Sequence, residues 1–181
     1  MPKIGHAGTL DPFATGLLIL LLGNNTKRFD EFQAYKKEYV ATIRFGIETE
    51  TYDKDGQVTR RYDGEVVLDK TTLLQTLHKF TGEIQQVPPR HSAVKIHGKR
   101  AYEFARKGKA VSVPPRNVSV YEAELLSCEA DTATIRFLVS SGTYIRSLAH
   151  DIGKELHYGA HLSALRRTKI GPYSVEDAER V

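Results

Sequence analysis

GHAGTLDP occupies residues 5–12 and brings two glycines, an imidazole, a hydroxyl and a carboxylate into eight positions. Glycine permits positive φ and close approach of the backbone. Pro12 fixes its own φ and disfavours the helical region for Asp11, which should therefore lie on a sharply turned loop. Binding and catalytic side chains concentrate on loops. The local spacing equally allows Asp11 to be the N-cap of a short helix over 14–17.

The longer stretch GHAGTLDPFATG, residues 5–16, resembles the signature of the TruB-type tRNA pseudouridine synthases. Two further stretches resemble hallmarks of this family in the same order: QVPPRHSAVKIHGKRAY at 86–102 and GTYIR at 142–146. LRR at 165–167 resembles the closing motif. Three ordered matches make the resemblance specific, and it covers essentially the whole chain.

The resemblance implies a catalytic group. Asp11 matches the nucleophile of the family, and Arg146 matches its arginine partner, which would favour the ionised carboxylate by lowering its pKa. Tyr39 matches a tyrosine that stacks on the target uracil and helps to remove the ring proton. Its place in an alternating strand also fits plain core packing. Leu165 matches a leucine that lines the base pocket.

The resemblance also implies residues that bind RNA. His6 would take the place of the extruded base in the stack, and a hydrogen-bonded loop imidazole is the alternative. Lys27 matches a lysine near phosphate, and Asp53 matches an aspartate that helps to position the active site. Lys95 and Tyr102 belong to the second hallmark, where cations alternate with aromatic rings in a way that suits RNA. A solvated helix face is the alternative there.

Periodicity predicts the elements that carry these motifs. Apolar alternation predicts a strand from Tyr39 to Phe45, ended by Gly46, and the run over 14–22 fits either a buried strand or half a core helix. Further predictions are helices over 26–34 and 69–80, and a helix into which residues 140–146 lead, with a core stripe at 145, 148, 149, 152 and 156. The pattern also predicts a turn at 55–56 that joins two strands, a strand pair over 118–128 and 133–139, and a last strand over 165–171. The fold class predicted is α/β, a mixed and mostly antiparallel sheet flanked by helices. By resemblance it is the pseudouridine synthase fold, in one domain over 1–181.

The composition of the chain limits the classes of protein to which it can belong. The chain has 181 residues, 40% of them hydrophobic and 27% charged, with a formal net charge of +4, which is ordinary for a globular domain and compatible with a polyanionic partner. No apolar run approaches the roughly 18 residues of a membrane span. The one cysteine excludes an intramolecular disulfide and fits a reducing compartment. We therefore expect a cytoplasmic protein that does not contact membranes.

The function implied is isomerisation of uridine 55 in the T-loop of tRNA, with the T-arm stem-loop as partner and no cofactor or metal. Family members carry a further N-terminal strand and helix before the first motif. Three interpretations are open: the gene is short, the sequence is a fragment, or another chain supplies the segment. Three alternatives remain open: an RNA-binding, catalytically impaired fragment or tRNA-folding factor, a dyskerin-like guide-dependent subunit, and a generic hydrolase. The last lacks a base beside a serine or cysteine.

Overall fold

The computed structural model describes residues 3–92, 94–96, 99–100 and 113–180. Its strands are β1 Ile4–His6, β2 Thr15–Gly16, β3 Leu20–Leu22, β4 Lys37–Phe45, β5 Ile47–Thr49, β6 Val58–Arg61, β7 Gly82–Gln86, β8 Lys95–Ile96, β9 Lys99–Arg100, β10 Arg116–Glu129, β11 Thr132–Val139, β12 Ala160–Ile170 and β13 Tyr173–Ser174. Its helices are α1 Phe29–Ala34, α2 Lys70–Lys79 and α3 Ile145–Glu155, with 3-10 turns at Gly23–Arg28 and Val175–Asp177.

One large sheet organises the described chain. Its strands follow the order β13-β12-β4-β11-β10-β7, and every neighbour in that order is antiparallel. Strand β2 adds to β12 in the parallel direction. The predicted fold class, a mixed and mostly antiparallel sheet with helices, is therefore confirmed. The predicted strand pair and the strand after Tyr39 correspond to β10, β11 and β4.

The two faces of this sheet differ in polarity because side chains alternate along each strand. On β11, alternate residues from Ala133 to Val139 are buried in the main core. On the opposite face Arg136 contacts Glu38 and Glu124 at 3.1 and 2.8 Å. The main core therefore lies on the face of the sheet to which alternate residues from Ala133 to Val139 point.

Helices α2 and α3 supply the other half of that core. Helix α2 begins at the N-cap Asp69, whose carboxylate accepts from the Thr72 amide at 2.7 Å. Helix α3 buries Ile145, Leu148 and Ile152 on the stripe that its periodicity predicts. No helix in the described part of the chain is long and apolar enough to span a membrane.

The predicted alternative, in which Asp11 is the N-cap of a short helix over 14–17, is wrong. Gly16 has a φ of +103° and its backbone lies against that of β12, where a helix has no room. The Asp11 carbonyl instead accepts from the Ala14 amide at 2.9 Å in a turn. The apolar run divides into β2 and β3, with Leu17 and Leu21 buried and its alternate leucines exposed. Asp11 therefore lies on a true loop.

Replacement of Gly153 by alanine tests how closely α3 packs on β12. A Cβ at this position would overlap the Cβ and backbone nitrogen of Ala160. We expect Gly153→Ala to lower the free energy of unfolding by about 1–3 kcal/mol, although glycine to alanine inside an open helix stabilises by about 1 kcal/mol.

Urea denaturation would measure this difference, with Lys154→Ala at the next, exposed position as the matched control. The control should lie within about 0.5 kcal/mol of the parent. A stabilised Gly153→Ala protein would show that the helix and strand are not in contact at Ala160.

Candidate active site

Arg146, in the first turn of α3, is the centre of the candidate active site. Its side chain is only 5% exposed. A buried guanidinium needs a partner for each of its five N–H groups. The acceptors come from three separate parts of the chain, and together they define the site.

The first acceptor is Asp11, on the loop between β1 and β2. Nε of Arg146 donates to Oδ2 at 3.0 Å, and Nη2 donates to Oδ1 at 2.8 Å. Two parallel bonds between a guanidinium and a carboxylate form the strongest and most directional ion pair that side chains make. The predicted pairing of Asp11 with Arg146 is present in the structure.

The remaining donors fix the other edge of the guanidinium. Nη1 donates to Oδ2 of Asp53 at 3.3 Å and to the Thr51 carbonyl at 3.1 Å. Nη2 donates its second hydrogen to the His91 carbonyl at 3.2 Å. All five donors are then used, so the orientation of Arg146 is determined by the protein.

Asp53 is itself rigidly held. Its Oδ1 accepts from the Thr51 hydroxyl at 2.6 Å and from the Asp55 amide at 3.1 Å. The backbone around it is fastened to β12, because the Lys54 amide donates to the Leu162 carbonyl at 3.0 Å and the Leu162 amide to the Tyr52 carbonyl at 2.9 Å. With an exposure of 7%, Asp53 supports Arg146 from behind rather than facing solvent.

The second and third sequence motifs meet at the start of α3. The buried side chain of Gln86 accepts from the Tyr144 amide at 2.8 Å and donates to the Tyr144 carbonyl at 3.1 Å. One turn further, the Ser147 hydroxyl donates to the Val87 carbonyl at 2.7 Å. These bonds bring the His91 carbonyl within reach of Arg146.

The electrostatics of Asp11 differ from the expectation. Burial raises the pKa of its carboxyl above the usual value; the charge and hydrogen bonds of Arg146 lower it in part, and nearby Asp53 raises it further. Arg146 therefore acts in the expected direction but does not bring the pKa below that of a free aspartate. The Asp11 side chain remains 29% exposed to solvent.

Tyr39 and Leu165 lie on the core face of the sheet. In the register of β4 and β12, Leu165 is opposite Ala41 and Arg167 is opposite Tyr39, so these side chains share one face. Tyr39 packs against the main core, as the packing alternative proposed. Burial is the main cause of the raised pKa of its phenol. Arg167 lowers this pKa and Asp11 raises it.

His6 and Lys27 are exposed on a neighbouring unit, where β1 pairs with β3 and packs on the 3-10 turn. Within the described residues, neither side chain forms a hydrogen bond or an ion pair with Asp11. Tyr102 lies outside the described residues, as does the side chain of Lys95, whose backbone forms β8. The RNA-binding roles of these four residues stay predictions.

Sequence reasoning missed the role of Arg167. Its side chain is 1% exposed and donates from Nε to the Leu17 carbonyl at 2.8 Å and from Nη2 to the Gly8 carbonyl at 3.1 Å. The available signal was its place two residues after Leu165, on the inward face of a strand. Among the residues described, no cluster of His, Cys, Asp and Glu is arranged to hold a metal ion.

Solved structures of other proteins share the fold of this chain. One is a Cbf5-Nop10-Gar1 complex, with a TM-score of 0.71 and 34% identity over 95% of this chain and 41% of that one. Another is an H/ACA RNP bound to a substrate RNA containing 2′-deoxyuridine, with a TM-score of 0.67 and 31% identity over 95% of this chain and 40% of that one.

Family models and sequence relatives identify the family to which the chain belongs. The model of the TruB family pseudouridylate synthase N-terminal domain matches residues 1–145, and that of the tRNA pseudouridylate synthase B C-terminal domain matches residues 146–181. The tRNA pseudouridine synthase B of Aquifex aeolicus is 51% identical over 97% of this chain, and that of Bacteroides fragilis is 48% identical over 96%. The chain belongs to the TruB family of pseudouridylate synthases. It spans 61% of the Aquifex protein and 74% of the Bacteroides protein.

Truncation of each carboxylate should separate their two roles. Asp53→Ala removes a buried partner of Arg146, and we expect the free energy of unfolding to fall by about 3–5 kcal/mol. Asp11→Ala leaves two N–H donors of Arg146 facing the side from which solvent already reaches residue 11, with Asp53 still in place, and we expect a smaller loss of about 1–3 kcal/mol. Urea denaturation of both variants beside the parent measures the difference, and equal losses would contradict this assignment.

Proposed function

We propose that this chain isomerises uridine 55 in the T-loop of tRNA to pseudouridine, with Asp11 as the nucleophile. The observation that carries the proposal is the bidentate pair of Asp11 and Arg146, in which one carboxylate is oriented by a buried arginine and is still 29% exposed. Such a group is positioned to attack a substrate without prior rearrangement.

The reaction consumes no second substrate. The bond from N1 of uracil to C1′ of ribose breaks, and a bond from C5 to C1′ forms. A proton leaves C5, and N1 gains one. The atoms balance without an oxidant or reductant, so the proposal includes no cofactor.

The residues of the site divide these tasks. Asp11 forms the transient covalent bond, and Arg146 holds the two carboxylate oxygens in one orientation before the base arrives. The Tyr39 ring and the Leu165 side chain share the sheet face that adjoins the Asp11 loop, where a flipped uracil can stack and be kept from water. His6, exposed on β1, would fill the gap that the flipped base leaves in the RNA.

The relatives favour tRNA over other RNA as the substrate. Identity reaches 51% and 48% with proteins named tRNA pseudouridine synthase B, against 34% and 31% with protein chains of the Cbf5 complex and the H/ACA RNP. We therefore propose the T-arm of tRNA ahead of a guide-dependent substrate. We propose the cytoplasm as the compartment, because a single cysteine fits a reducing environment.

The direct test is release of tritium from T-arm RNA that carries uridine labelled at C5. Only a reaction that replaces the C5–H bond releases the label. We expect release by the parent and none by Asp11→Asn, which keeps the shape of the side chain but removes the nucleophilic charge. RNA binding should persist in this variant, because Asp11 attracts no phosphate.

The exposed Asp30→Asn, on α1, serves as the matched control and should keep the parental rate. Release by Asp11→Asn at that rate would refute Asp11 as the nucleophile. Binding of T-arm RNA by the parent with no release of label would instead favour an RNA-binding or tRNA-folding role.

A further inference from the structure

Arg167 presents an unusual electrostatic arrangement for a fully buried cation. Its side chain is 1% exposed, and no carboxylate within the described residues lies within 4.0 Å of its guanidinium. A buried charge without a counter-ion is unfavourable unless polar groups solvate it. Backbone carbonyls of the segment from Gly8 to Leu17, which bears Asp11, do so here.

The contacts of Arg167 include both ends of the segment that bears Asp11. Before Asp11, Nη2 donates to the Gly8 carbonyl at 3.1 Å and Nη1 lies 3.5 Å from the Thr9 carbonyl. After Asp11, Nε donates to the Leu17 carbonyl at 2.8 Å. One planar group therefore sets the distance between the two ends of the loop.

The backbone of the same residue secures the second end again. The Leu17 amide donates to the Arg167 carbonyl at 2.8 Å, where β2 pairs with β12. Any Cβ on Gly16 would overlap the Arg167 backbone, so only glycine allows this approach. Arg167 thus holds the second end of the segment to the central sheet through both its side chain and its backbone.

We propose that Arg167 is a positioning residue, which fixes the Asp11 loop so that the carboxylate meets Arg146 in its bidentate geometry. This inference rests on the proposed function of Asp11. Arg146 orients the carboxylate from the α3 side, and Arg167 orients the backbone that carries it from the β12 side. Arg167 does not touch the reacting atoms and acts through the loop.

Lysine is the informative replacement at this position. It keeps the positive charge, but its three donors share one nitrogen and cannot reach carbonyls on both ends of the loop. A loop displaced by about 1 Å can lower the rate of the chemical step about 100-fold. We therefore expect Arg167→Lys to slow the reaction about 10- to 100-fold.

The experiment measures single-turnover tritium release with protein in excess over T-arm RNA, so that the rate constant reports folded molecules only. RNA affinity is measured in parallel by titration. Native-state hydrogen exchange follows the amides of Ala7, Ala14 and Leu17, which are hydrogen-bonded in or beside the loop. Arg167→Gln is the second variant. Arg44→Lys, an exposed arginine paired with Asp131 elsewhere in the sheet, is the matched control.

The proposal predicts a slower single-turnover rate, unchanged RNA affinity and faster exchange of the three loop amides, with parental values for Arg44→Lys. A parental rate in Arg167→Lys would overturn it. Failure of both Arg167 variants to fold while Arg44→Lys folds would also overturn it, since Arg167 would then determine the fold. If the parent itself releases no label, the proposed function fails, and the exchange rates alone decide whether Arg167 fixes the loop.

Discussion

The guanidinium of Arg146 is the constraint on which the rest of the site depends. It is buried, and each of its five N–H groups meets an acceptor drawn from the Asp11 loop, the 51–53 turn or the segment before residue 92. A buried charge that lost any of these acceptors would be left partly unsatisfied. The three segments therefore fold around one side chain, and its position determines where the carboxylate of Asp11 can lie.

Two carboxylates share this arginine and differ in environment. Asp53 is buried and holds the guanidinium in place, whereas Asp11 is partly exposed to solvent. Arg167 completes the arrangement because it holds the backbone of the Asp11 loop against β12. Orientation of the carboxylate is thus built into the folded protein, and no rearrangement is needed to create it.

The sequence revealed the sheet more fully than the site. The alternation of apolar and polar residues was sufficient to predict β4 and β11, because each strand buries one face. The apolar residues of α3 recur at helical spacing for the same reason, so this helix could also be predicted. The pairing of Asp11 with Arg146 joins residues 135 positions apart, and only the family resemblance indicated it. Local spacing allowed a helix after Asp11, because it could not show that Gly16 lies against the backbone of β12. Arg167 was missed since its acceptors are backbone carbonyls, which no side-chain pattern reveals.

A double-mutant cycle between Asp11 and Arg146 tests the central claim most directly. Single-turnover rates of tritium release would be measured for the parent, Asp11→Glu, Arg146→Lys and the double variant. If Arg146 acts by orienting the carboxylate, the two losses are strongly non-additive, and the double variant is scarcely slower than the slower single variant. Independent losses that multiply in the double variant would show that the two residues contribute separately, and would contradict the account.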